Sequence, residues 1–139
     1  MSAIAGILHF HGAPLEPSLI EKLSGAMKRR GPDAQTRWVQ GPVALGHCML
    51  RATPESLEEQ QPLASRDKNL VMVWDGRLDN REELQRQLNA AGAVLRDRSD
   101  AELALQAYAA WGEDCPGRLL GDFAFSVWDA RRQRLFCAL

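Results

Sequence analysis

The chain begins with an apolar run, and this run limits the possible folds more than any other feature. Residues 3–10, AIAGILHF, are apolar on both alternating faces and follow only Met1 and Ser2. Chain ends ordinarily fray in solvent, whereas a strand that is apolar on both faces is covered on both sides. The run therefore predicts a buried strand from Ala3 to Phe10, with the N-terminus held inside a sheet.

The segment after this strand predicts a helix. Apolar residues recur at helical spacing from Pro17 onward, and Ser18 is suited to the N-cap position. Lys28, Arg29 and Arg30 then precede Gly31 and Pro32. Cations complement the C-terminal end of a helix dipole, and glycine favours a left-handed cap. The pattern thus indicates that this basic cluster is a helix terminus rather than a binding surface.

The remainder of the chain alternates between hairpins and helices. Turns are predicted at Gln40–Pro42 and around Arg131–Arg132, and Asp75–Gly76 is typical of a turn or bulge that breaks a strand. Capping boxes at Asp79–Glu82 and Ser99–Glu102 predict two further helices. Strands dominate both ends and are mostly antiparallel. The fold class is therefore α+β, with two stacked sheets and helices outside them.

Composition excludes several classes of function. The 139 residues suit one domain, and a net charge of -1 with a pI near 6.3 gives no electrostatic case for nucleic acid or an anionic membrane. The apolar run is too short to span a bilayer. Three widely spaced cysteines, Cys48, Cys115 and Cys137, predict free thiols, a cytoplasmic setting and no zinc site.

Few residues offer catalytic chemistry on their own. If Met1 is removed, Ser2 carries a hydroxyl beside an α-amine, which could act as its base. Taken alone, Ser2 is more simply a small residue that permits Met removal. His9, His11 and His47 have no metal-ligand spacing and are interpreted as core or surface residues.

An ordered set of short segments carries a stronger signal: SAIAGILHF, RRGPDA, ALGHCML, EQQPL, WDGRLDN, RSDAELAL and LLGDFAFSVWD. From about Ala3 to Cys137 this set resembles the N-terminal glutaminase domain of asparagine synthetases, which are class II glutamine amidotransferases. The resemblance implies the four-layer αββα sandwich of the N-terminal-nucleophile hydrolases. The chain stops at Leu139 within an apolar strand, so residues 1–139 are expected to form an incomplete glutaminase-like domain, truncated at its C-terminal end.

The resemblance also assigns site residues and exposes departures from the family. Ser2 occupies the position of the family's nucleophilic cysteine. Met49 replaces an arginine for the glutamine carboxylate, Asp75 an asparagine of the oxyanion hole, and Arg77 a glutamate for the substrate ammonium. We hypothesise that Asp75 and Arg77 pair with each other and fill the pocket.

Other site positions match the family. Gly76 and Asp100 of the glutamine site are retained, as are Arg30 and Gly31 of a turn near it.

Three functions follow in order of preference. The first is a glutaminase-inactive domain beside an ATP-pyrophosphatase domain that forms amides, of the lasso peptide cyclase or β-lactam synthetase type. The second is an active glutamine-hydrolysing asparagine synthase domain that uses Ser2 as its nucleophile, and the third is a stand-alone binding module. No cofactor is expected in this chain, because ATP and Mg²⁺ would belong to the further domain. Self-association through an open sheet edge is expected.

Overall fold

The computed structural model describes residues 2–52, 54–57 and 59–139, with the side chains of residues 55 and 56 left aside. Strands and helices are largely segregated along the chain, as the α+β prediction requires. In chain order they are β1 (Ala3–Leu8), α1 (Pro17–Met27), β2 (Ala34–Gln40), β3 (Val43–Met49), β4 (Leu63–Ala64), β5 (Leu70–Leu78), α2 (Arg81–Ala90), α3 (Asp100–Trp111), β6 (Gly121–Asp129) and β7 (Arg134–Ala138). Short 3₁₀ segments cover Pro54–Leu57 and Gly112–Arg118.

The strands form two antiparallel sheets that stack face to face. The first sheet has the order β1-β3-β2 and the second the order β4-β5-β6-β7. Helix α1 packs on the outer face of the first sheet, and α3, with α2 against it, packs on the second. Strands β1 and β3 contact β5 across the interface. The result is the αββα layering implied by the resemblance.

Alternation along β3 shows how the sequence builds three apolar layers. Val43 and Leu45 face the second sheet, where they pack with Val71 and Val73. Ala44 faces the opposite way, into the cluster beneath α1. All seven residues of β3 are buried, as a central strand covered on both faces requires. Each large apolar side chain buried in this way stabilises the fold by about 1.5–3 kcal/mol.

Strand β1 confirms the prediction of a strand covered on both faces, but it is shorter and less buried than predicted. Its two faces are covered, with Ile4 and Leu8 toward the second sheet and Ala5 and Ile7 toward α1. It is an edge strand, so most of its residues are only half-buried. The strand ends at Leu8, and Phe10 is 96% exposed. The prediction of a buried strand reaching Phe10 was wrong at that end.

The ends of α1 also differ from the prediction. Pro17 opens the helix, Glu16 occupies the N-cap position, and no side chain caps it, so Ser18 is not the cap. The helix stops at Met27, which leaves the basic cluster in the turn beyond it. Gly31 is not left-handed, but a Cβ there would lie 2.0 Å from the carbonyl oxygen of Cys48. Close packing on β3, rather than a helix cap, therefore requires glycine at this position.

Two further local predictions were wrong. Asp75–Gly76 does not break β5, which runs on to Leu78. Gly76, with φ +149°, lets β5 pass close to β6, because a Cβ there would lie 2.4 Å from the carbonyl oxygen of Asp122. Helix α2 begins at Arg81, and the Asp79–Glu82 box does not form.

Other local predictions were confirmed. The Ser99 side chain accepts a hydrogen bond from the Glu102 amide and caps α3, which is half of the predicted capping box, because the Glu102 carboxylate accepts from Arg96 instead of from the Ser99 amide. Both predicted hairpin turns are present. The three cysteines are free.

Candidate functional site

A pocket of about 900 Å³ opens where the two sheets end together near the N-terminus. We call it the Ser2 pocket. It brings together Ser2, Met49, Asp75, Gly76 and Arg77, five of the positions predicted from the resemblance. Their sequence separation shows that the stacking of β1 and β3 on β5 assembles the site. The other lining residues are His47, Leu50, Ala52, Glu59, Gln61, Trp74, Gly121, Asp122, Phe123, Ala124 and Leu139.

Ser2 is held at both of its polar groups. Its backbone nitrogen, which becomes the α-amino group if Met1 is removed, donates to Asp75 Oδ1 at 3.0 Å. Its hydroxyl Oγ accepts from the amide of Leu50 at 3.1 Å. One contact crosses to the second sheet and the other reaches the end of β3. Ser2 is therefore fixed in the pocket wall.

The hypothesised pair of Asp75 and Arg77 does not form. Asp75 is engaged by the Ser2 nitrogen, and Arg77 Nη2 instead lies 3.0 Å from Asp79 Oδ1. The Arg77 side chain is 71% exposed. Arg77 can turn outward because Asp79 follows two residues later and offers a charge partner at the solvent edge. An exposed pair of this kind stabilises by at most about 1 kcal/mol.

Met49 places an apolar side chain at the position where the resemblance expects an arginine. It lies at the end of β3, on the face that carries Val43 and Leu45, and is 5% exposed. A thioether cannot make the two charge-assisted hydrogen bonds with which an arginine clamps a carboxylate. This wall of the pocket therefore offers packing rather than anion binding.

Asp100, Arg30 and Gly31 lie outside the pocket lining. The Asp100 carboxylate accepts from the Leu78 amide at 3.0 Å and from the Arg81 guanidinium at 2.5 and 2.8 Å. It fixes the end of β5 to the start of α2 and α3. Gly31 packs on the backbone of Cys48 and Met49 at the end of β3. Asp100 and Gly31 thus contact backbone beside the pocket, and Arg30 is an exposed residue of the turn after α1.

Four polar residues of the pocket, His47, Glu59, Gln61 and Asp122, were missed by sequence reasoning as site residues. His47 is 2% exposed, and neither ring nitrogen has a hydrogen-bond partner among the described residues. Burial lowers the pKa of His47 to about 4, with a partial offset from the Trp74 backbone, so the ring is neutral at pH 7. The two-residue alternation with Val43 and Leu45 could have placed it on the inward face.

The second missed residue is Glu59, which lies in the polar segment before β4. Burial raises the pKa of its carboxyl, the hydrogen bond from Gln61 opposes this, and the charges of Asp100, Asp97 and Asp75 raise it further. Gln61 itself pairs with the Trp74 backbone, donating to its carbonyl and accepting from its amide. That pairing holds the segment against β5. No local sequence pattern predicts it.

Two negative findings apply to the described residues. No group of three or more His, Cys, Asp or Glu side chains is arranged there to hold a metal ion. In the same part of the chain, none of the helices has both the length and the apolar character needed to cross a membrane.

Comparison with known proteins matches residues 1–138 to a family described as the glutamine amidotransferase domain. The chain is 35% identical over 125 residues to asparagine synthetase [glutamine-hydrolyzing] 3 of Bacillus subtilis, covering 88% of this chain and 20% of that protein. It is 32% identical to a putative asparagine synthetase [glutamine-hydrolyzing] of Mycobacterium tuberculosis, covering 97% and 24%. The chain thus spans about a fifth of the length of these curated relatives.

Solved structures agree on the fold. Glutamine phosphoribosylpyrophosphate amidotransferase of B. subtilis matches with a TM-score of 0.53 at 22% identity, over 91% of this chain and 29% of that one. The allosteric regulatory enzyme of purine biosynthesis matches with a TM-score of 0.54 at 27% identity, over 64% and 22%. Both matches support the two-sheet architecture around the Ser2 pocket.

Proposed function

This chain belongs to the family of glutamine amidotransferase domains, with asparagine synthetases among its relatives, and from that premise we propose that its glutaminase site is degenerate. The domain then serves as the N-terminal part of an ATP-dependent enzyme that forms amide bonds without releasing ammonia from glutamine. The contact between the Ser2 nitrogen and Asp75 Oδ1 carries the proposal.

That contact opposes nucleophilic catalysis by Ser2. In the processed chain the Ser2 α-amine would have to accept the hydroxyl proton. A carboxylate 3.0 Å away favours the protonated ammonium, which has no lone pair to accept it. The contact with Asp75 therefore deprives the Ser2 hydroxyl of the α-amine as its base.

The oxyanion side of the pocket supports the same conclusion. Asp75 stands at the position where the resemblance expects an asparagine donor, and an ionised carboxylate has no hydrogen to donate. Loss of one such donor alone lowers kcat by about 10²–10³. Asp75 also brings a negative charge toward the site where negative charge would develop.

Substrate binding is weakened on both charged ends of glutamine. Met49 offers no partner to the carboxylate, and Arg77 with its outward pair to Asp79 offers none to the ammonium. Asp100 is engaged by Arg81 and the Leu78 amide. Binding and chemistry therefore fail together.

The positive role in the proposal concerns the longer protein. Relatives about five times the length of this chain are named asparagine synthetases, so we assign the domain a place beside an ATP-pyrophosphatase domain that uses ATP and Mg²⁺. An enzyme whose acceptor amine is part of its own substrate, as in the lasso peptide cyclase or β-lactam synthetase type, needs no ammonia. A degenerate pocket with an intact fold suits that type.

A glutaminase assay on the Met-processed protein tests the proposal. We expect no glutamate release from the unmodified chain or from Ser2→Cys, because the pocket still rejects glutamine. A variant with Ser2→Cys, Met49→Arg, Asp75→Asn and Arg77→Glu tests whether the pocket residues explain the loss. Glutamate release by the unmodified chain, abolished by Ser2→Ala but not by the matched Ser18→Ala, would instead establish Ser2 as an active nucleophile.

A further inference from the structure

The Ser2 pocket remains a cavity although its glutamine-site residues have changed. Met49 and Trp74, 5% and 3% exposed, form part of its wall, and the Trp74 ring stacks on Phe123 with centroids 5.2 Å apart and an interplanar angle of 18°. Such a surface is typical of sites that hold the apolar body of a small molecule. The volume of about 900 Å³ is within the range of small-molecule sites.

The charge of the lining favours a cation. Three carboxylates, Glu59, Asp75 and Asp122, face one guanidinium, that of Arg77, which Asp79 already neutralises from outside the pocket. Asp75 is engaged by the Ser2 nitrogen. Glu59 accepts a hydrogen bond from the Gln61 amide, and none of the ion pairs found among the described residues includes it. Glu59 is therefore a half-buried acid whose charge has no cation beside it in the described part of the chain.

An independent observation points to a ligand in the same cavity. His47 lines the pocket and is 2% exposed; its ring has one contact with the Trp74 backbone, and no described residue meets hydrogen-bond geometry with either ring nitrogen. Buried polar groups are satisfied in the great majority of cases, and each exception calls for an explanation. A bound molecule with a hydrogen-bonding group would supply the missing partner, since a neutral imidazole has one donor and one acceptor.

We propose that the Ser2 pocket binds a small organic cation, an amine with an apolar or aromatic body, with the ammonium at Glu59 and the body against Met49, Trp74 and Phe123. This inference goes beyond glutaminase activity and does not depend on its absence. It assigns the pocket a ligand-binding function. Amide formation in a further domain does not require that function.

A matched series of probes tests the charge preference. Phenethylamine, 2-phenylethanol and 3-phenylpropanoate share an aryl-ethyl body and differ in carrying a positive, neutral or negative group. We expect calorimetric titration of the unmodified chain to give at least about tenfold tighter binding of the amine than of either other probe, a difference of about 1.4 kcal/mol. Equal affinities, or a preference for the carboxylate, would overturn the proposal. None of the probes has an amide to hydrolyse, so the result is independent of the glutaminase assay.

Two variants locate the site. Glu59→Gln removes the charge at nearly constant shape and should abolish the preference for the amine. Glu113→Gln makes the same change at an exposed residue that pairs with Arg134 in a different groove, and should leave the preference intact. His47 and Trp74 resonances should shift with phenethylamine in the unmodified protein. A preference for the amine that survives Glu59→Gln, or amine binding that shifts only residues of the Glu113 groove, contradicts the assignment.

Discussion

At the scale of single residues, His47 makes stability depend on pH. Its pKa is about 4 when folded and near 6.5 when unfolded, because burial disfavours the imidazolium. Between these values the unfolded chain binds a proton that the folded chain does not, so stability falls as pH falls. A shift of this size predicts that the free energy of unfolding is about 2 kcal/mol lower at pH 5 than at pH 7. Urea titrations at the two pH values measure it.

The control for this prediction is His47→Gln, which removes the titrating ring. Glu59 acts with the opposite sign, because its raised folded pKa favours the folded state on acidification. Glu59 is present in both proteins, so the difference between their pH dependences isolates His47. An NMR titration midpoint of the His47 ring near 6.5 in the folded protein would contradict the prediction.

Asp75 and Arg77 show what residue-level reasoning could and could not reach. The resemblance implied that these two positions had lost a donor and reversed a charge, and both residues line the Ser2 pocket, with the Arg77 side chain turned outward to Asp79. Their partners could not be predicted, because Ser2 lies 73 positions from Asp75 and meets it only through sheet stacking. Opposite charges two residues apart favoured a local pair, and the long-range contact with Ser2 displaced it.

At the scale of elements, the turn after α1 offers a sharp comparison of two glycines. Gly25 lies within α1 with no atom near its potential Cβ, whereas a Cβ on Gly31 would meet the backbone of Cys48 and Met49 at 2.0–2.7 Å. We expect Gly25→Ala to stabilise the protein by up to about 1 kcal/mol through helix propensity. Gly31→Ala should destabilise it by about 2 kcal/mol or more, because backbone on both sides must move.

Chemical denaturation of the two variants measures these effects. Gly25→Ala is the matched control, since it adds the same methyl group six residues earlier, within α1. If Gly31→Ala is tolerated as well as Gly25→Ala, the close packing of this turn on β3 is not what requires glycine there.

Helix starts could be predicted only where the cap is local. Ser99 caps α3 as its spacing indicates. For α2, Asn80 occupies the cap position, but its side chain bonds to the Leu120 amide and the Arg118 carbonyl instead. That tether joins segments about forty residues apart, and no window of sequence contains it. Most strands and both hairpin turns followed from apolar periodicity, whereas the break predicted at Asp75–Gly76 does not occur because β5 stays paired with β6 there.

At the scale of the whole molecule, the two sheets leave free edges. β7 is the last strand of the second sheet and pairs only with β6 among the described residues. An unpaired edge offers a row of backbone donors and acceptors to another strand. The free edge of β7 is a surface through which the expected self-association could occur. The self-association itself stays a prediction.

We expect this chain to self-associate through β7 as its concentration rises. Cys137→Lys places a charge at an exposed position of the strand, where lysine opposes edge-to-edge pairing. Cys137→Ser removes the thiol without adding charge, so it separates strand pairing from a disulfide between copies. Sedimentation velocity in reducing buffer should show concentration-dependent dimers for the unmodified chain and Cys137→Ser, and at least about a tenfold weaker dimer for Cys137→Lys. A monomer at all concentrations, or equal dimerisation of the two variants, would mean that the β7 edge is not the contact, because strand pairing must respond to charge along the strand.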